Sequence, residues 1–146
     1  MPFAINLNWL AIVAAVIASV VIGLLWYGPL LGSAWMKEMG VAPDFKPDPA
    51  LLKRSLLLMI VSALLTAVVL ACAIELCLPS TSSADDDAPH AMVGLTVALG
   101  VWLGFYVPLL LGGVAWENRS WKLFGINAGY HLAALLAAGM ILAHWR

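Results

Sequence analysis

Charge is what this chain has least of. Asp, Glu, Lys and Arg together make up 10% of the 146 residues, while 64% are hydrophobic; soluble domains carry about a quarter charged. That scarcity excludes an ordinary water-soluble fold, because long segments apolar on every face have no polar stripe to turn towards solvent. Seven basic side chains stand against eight acidic ones, so there is no basic surface for nucleic acid, and no groove-binding motif occurs. Cysteine is limited to Cys72 and Cys77. They are five positions apart in one apolar segment, about 140° around a helix, so they cannot pair within it and read as small buried hydrophobes. No GxSxG, Walker-type or HExxH spacing appears, and the acidic run Asp85, Asp86, Asp87 lacks the ligand pattern of a calcium loop. Zinc or haem would need more ligands than any cluster here offers. The chain therefore reads as non-enzymatic, without metal or cofactor.

What is present is four long apolar runs, in a single membrane domain covering residues 1–146. About 20 apolar residues suffice to cross the hydrocarbon core, and the runs Asn8 to Leu31, Ser55 to Leu78, Ala91 to Ala115 and Leu123 to Ala143 all reach that length. Loops are expected at 32–54, 79–90 and 116–122. No Lys or Arg precedes the first run, which is long enough to span, so it reads as a retained helix and not a cleaved signal. Pro43, Pro47 and Pro49 mark the first loop, whose opening, with Trp35 and Met36 beside Lys37 and Glu38, reads as a short interfacial helix. Pro108 should loosen or kink the third span. The expected class is an all-α integral membrane protein, a four-helix bundle solvated by the lipid bilayer.

Orientation follows from the basic residues, which are retained on the cytoplasmic side of span ends. Lys37, Lys46, Lys53, Arg54, Arg119 and Lys122 fall in the first and third loops, and only Arg146 falls opposite. Both termini and the acidic loop are thus expected on the periplasmic or exterior side of a bacterial inner membrane. Trp9 and Trp145 would mark one interface and Trp26, Trp35, Trp116 and Trp121 the other, with Trp102 alone in mid-span.

The two halves echo one another. LWYGPLLGSAW from Leu25 reads against GFYVPLLLGGVAW from Gly104, aligning Tyr27 and Pro29 with Tyr106 and Pro108. Two pseudo-repeated helix pairs, related by a pseudo-two-fold along the membrane normal, would follow. The N-W-L opening, the W-Y-x-P-L-L segment and the N-x-G-Y pattern at Asn127, Gly129 and Tyr130 resemble a family of small bacterial membrane proteins, the domain of unknown function 1761. The resemblance covers most of the chain except the tract STSSADDDAP. It implies a four-span bacterial protein and brings no activity, cofactor or catalytic residue.

Few side chains could carry chemistry. Glu75 is the one acidic residue within an expected span, which makes it a candidate by default, although it lies about three residues, or roughly 5 Å, from the outer boundary. Asn127 and His131 are one turn apart on one face, with Tyr130 beside them. Tyr27 and Tyr106 fall in the same half of the bilayer, and together the five could line a polar pocket or merely bond across helices. Small residues form rows that suit close helix packing: Gly125, Gly129, Ala133 and Ala137; Gly100 and Gly104; and Ala11, Ala15 and Ser19. Such a row could equally face a second copy or another membrane protein. The expectations are a bundle that binds or passes a small solute or ion, alternatively an accessory subunit that packs on other membrane proteins, and last a membrane enzyme.

Overall fold

The computed structural model describes residues 5–78 and 87–145, so Asp85, Asp86 and Arg146 lie outside the described residues. Among these, every regular element is helical. Helix α1 (Trp9–Leu25) starts where Asn8 accepts the N–H groups of Leu10 and Ala11 at 3.0 and 3.2 Å, relieving two of the donors that a helix start leaves unpaired. It runs into a π-helical turn, Trp26–Leu30, which contains Pro29 and bends at Gly28. Helix α2 (Gly32–Met39) follows and stops at Gly40, whose φ of 69° lets Val41 N–H return to Met36 O, the usual glycine termination. Gly32 has no alternative there, because a Cβ would sit 2.5 Å from the Tyr27 carbonyl oxygen.

Helix α3 (Pro49–Cys77) begins six residues before the expected Ser55. Pro49 occupies the first helical position, where its missing N–H costs nothing, and Lys53 and Arg54 are therefore helical. Likewise α4 (Asp87–Val101) takes up the end of the expected second loop. A second π-helical turn, Trp102–Tyr106, joins it to α5 (Val107–Trp116). After a turn that holds Asn118 at φ 54°, α6 (Trp121–His144) is capped by Ser120, which accepts Leu123 N–H at 3.1 Å.

The segments Trp9–Leu30, Pro49–Cys77, His90–Trp116 and Trp121–His144 are each long and apolar enough to cross a bilayer. The chain is a multi-pass membrane protein built as a four-helix bundle. The start of α1 and the end of α6 come together, since Asn8 Nδ2 donates to Trp145 O at 3.2 Å. At the opposite end Ser120 donates to Glu38 at 2.5 Å, with Lys122 Nζ 3.9 Å from the same carboxylate. Glu117 and Arg119 form an exposed pair at 2.6 Å.

Helix α6 is the least hydropathic span and the most buried, as suits a helix whose surroundings are protein on two sides. It packs between α1 and α4. The core, made of Ile12, Ala15, Leu70, Ile74, Ala98, Leu135, Ala138 and Leu142 among others, fills the half of the bundle that holds the chain ends. The closest helix crossing is Gly94 on Gly139, where a Cβ on Gly139 would lie 2.6 Å from Gly94 O.

The packing rows read from the sequence need correction here. Ala11 and Ala15 are buried, but Gly100, Gly104 and Gly125 face open space, and Gly129 meets the Trp26 ring instead of a backbone. Ala133 and Ala137 are half-buried, while the buried stripe of α6 runs through Ala134, Leu135, Ala138 and Leu142. A helix wedged between two neighbours buries two faces, so a single four-residue row does not mark its contact. The N-terminal half of α3 has no buried residue, leaving the bundle open on that side.

Candidate functional site

The two π-turns carry the site. A π-turn adds a residue to one helical turn and shifts the side chains beyond it by about 100° of phase; Pro29 and Pro108, which lack an N–H, are the reason one is accommodated at each place. Leu31 N–H bonds Trp26 O at 2.8 Å, and Val107 N–H bonds Trp102 O. Each turn therefore opens on a tryptophan. The two indoles reach the same helix: Trp26 Nε1 donates to Ile126 O at 2.9 Å and Trp102 Nε1 to Ala128 O at 2.8 Å. Trp26 is accordingly bonded into the bundle, whereas Trp116 and Trp121 are exposed. The use of Trp102 was not evident from its position in mid-span.

From these turns the aromatic side chains project onto α6. Tyr27 OH donates to Asn127 Oδ1 at 2.8 Å, and its ring meets Tyr130 edge-on at 5.2 Å between centroids. The Tyr130 and Tyr106 ring centroids lie 4.8 and 4.5 Å from that of His131, with the rings tilted by 55° and 39°. Tyr106 and Thr66 share a hydrogen bond at 3.1 Å, while Tyr130 OH approaches Ser19 O at 3.5 Å. Gly23 makes room for Tyr130, since a Cβ there would stand 3.2 Å from Cε2. The structure thus joins Asn127, Tyr27, Tyr130, His131 and Tyr106 into one row, extended by Thr66. Glu75 is elsewhere: it lines a small recess with Asn8 and Trp145 near the chain ends.

Two cavities flank this row. The upper, about 210 Å³, is walled by Ser19, Met59, Ser62, Thr66, Tyr106, Tyr130 and His131, over a floor that includes Ala134, Leu135 and Ala138. The lower, about 190 Å³, lies between α5 and α6 beside Asn127 and reaches Glu117 and Arg119. Tyr27 touches wall residues of both, Tyr130 above and Asn127 below. The described walls of the upper chamber hold no Asp, Glu, Lys or Arg. No three His, Cys, Asp or Glu side chains among the described residues are placed to share a metal ion. Ser62 and Thr66, one turn apart in an otherwise apolar helix, are wall residues that reading from the sequence passed over; their i, i+4 spacing was the available signal.

The chain belongs to the family described as Protein of unknown function (DUF1761), whose model matches residues 10–143. No curated protein and no solved structure matches it.

Proposed function

We propose that this protein binds a small uncharged solute in the upper chamber and exchanges it with the loop-side surface through the lower cavity. One observation carries the reading: His131, in contact with two tyrosine rings, lies on the wall of a chamber of about 210 Å³ instead of in packed core. A polar side chain at that depth is costly unless it is partnered or used, and a chamber mostly apolar with a few convergent polar groups is the usual form of a small-molecule site. The absence of Asp, Glu, Lys and Arg from the described wall residues favours an uncharged solute over an ion, and Glu75 takes no part. The six basic residues around the two loops support placing the loop-side end in the cytoplasm and the chain ends outside.

Naphthol, a flat solute with one hydroxyl, serves as the test ligand. Titrated into the purified protein, it should give saturable binding and a raised unfolding temperature. Ala134→Phe, which fills the chamber floor, should abolish both, and His131→Leu should weaken binding about tenfold, the effect of one lost hydrogen bond in a dry site. Purely non-saturable uptake, equal in wild type and both variants, would leave the accessory-subunit reading in its place.

A further inference from the structure

The chamber has a neighbour that extends what it can hold. A groove of about 320 Å³ runs between α3 and the end of α4, lined by Leu65, Val69, Val101 and Phe105, and it shares the walls Thr66 and Tyr106 with the chamber. Resting on the solute-binding reading above, we propose that the occupant is a membrane-borne amphiphile of the prenylated quinone class, its flat head in the chamber and its apolar tail in this groove.

The head follows from the chamber walls. Tyr130 OH is directed at Ser19 O, and Thr66 and Tyr106 share one hydrogen bond, which leaves Ser62, His131 and one hydroxyl of that pair to donate to a ligand. No carboxylate or cation stands among the described wall residues. Such a set suits a neutral head that only accepts, as two ring carbonyls do. A phosphate head would need a basic partner at this depth. An aromatic head is favoured by the rings of Tyr106 and Tyr130, tilted by 39° and 55° to that of His131, and by the Met59 thioether among the same wall residues, all of which pack well on an aromatic ring.

The tail follows from the groove. Leu65, Val69 and Phe105 are 64%, 65% and 72% exposed, so in a bilayer they meet hydrocarbon, and a ligand can enter sideways from the lipid without crossing water. The Thr66–Tyr106 hydrogen bond, at 3.1 Å, stands where head and tail would join. A ligand wholly inside the chamber would have no use for a groove ending at the same two residues.

The test uses the full chain in lipid nanodiscs and a methylnaphthoquinone whose prenyl tail bears a diazirine. On illumination the label should enter peptides containing Leu65 to Val69 and Val101 to Phe105. Excess unlabelled prenylated naphthoquinone should compete it away, and a straight-chain alcohol should not. Val69→Trp, at a side chain 65% exposed, should cut this labelling by about fivefold or more while leaving naphthol binding unchanged. Labelling spread over all lipid-facing helices, or undiminished by the competitor or by Val69→Trp, would overturn the quinone assignment. Continued saturable naphthol binding in that case would leave the chamber itself standing, whereas its absence would remove both readings.

Discussion

The two ends of the bundle are built on opposite plans. Towards the chain termini, α1, α4 and α6 close on one another through Ala15, Ala98, Ala138 and the Gly94–Gly139 crossing, and the large side chains Ile12, Leu70 and Ile74 are sealed. Towards the loops α1 and α4 each run into a π-turn, tyrosine, tryptophan and histidine rings meet α6 in place of small residues, and two cavities open beside it. The contrast shows how a small membrane protein keeps an open polar site: the packing that holds the helices together is concentrated where the site is not. Within the bilayer there is no hydrophobic gain from bringing helices together. Close van der Waals contact at the terminal end must therefore hold the bundle while the loop-side end forgoes it.

The comparison breaks most visibly at the crossing. Gly139→Val should drive α6 away from α4 and destabilise the protein by about 3 kcal/mol, the upper range for overpacking a filled core, read as a fall in the detergent unfolding midpoint. Gly104→Val, on a face with nothing within 4 Å, should change it by less than about 0.5 kcal/mol. Equal effects at the two sites would dissolve the distinction between the ends.

Smaller changes are expected where α6 is bound by side chains. Trp102→Phe keeps an aromatic side chain but removes both the donor to Ala128 O and the five-membered ring, and should cost about 2 kcal/mol in the same unfolding measurement. For Tyr27 and Asn127, a double-mutant cycle with Tyr27→Phe and Asn127→Leu should return a coupling of about 0.6 kcal/mol, typical of hydrogen bonds between membrane helices. A coupling of zero would mean the Tyr27 hydroxyl contributes to the cavity and not to the bundle. The smallest effect belongs to Glu75→Gln. Because Glu75 lies with Asn8 and Trp145 at the closed end, naphthol affinity should shift by less than about twofold; a larger shift would tie the two ends together functionally.

Much of this was legible from residue order. The four spans, the short helix around Trp35, the Tyr-x-Pro echo and the row of Tyr27, Tyr106, Asn127, Tyr130 and His131 all depend on local features: run length, proline position and i, i+4 spacing. Gly100, Gly104 and Gly125 meet no neighbouring helix within the chain, because spacing says which residues share a face, not which face meets a neighbour. Gly94 and Gly139 lie 45 residues apart in the chain, and nothing local marks them as partners. Trp26 shows the same limit. An aromatic at a span end looks like an interfacial marker until the π-turn directs its indole onto Ile126.

Taken alone, the residues determined the environment and the number of crossings, because transfer of apolar side chains into lipid is a sum over local composition and each span carries its own excess. They also fixed where the helices would be interrupted, since proline removes a backbone donor wherever it stands. Which helix became the centre, which glycines touched, and that Ser62 and Thr66 would face His131 across an open chamber were settled only on assembly. Those outcomes depend on how four cylinders cross, and crossing geometry is a property of pairs of surfaces that no single stretch of chain contains.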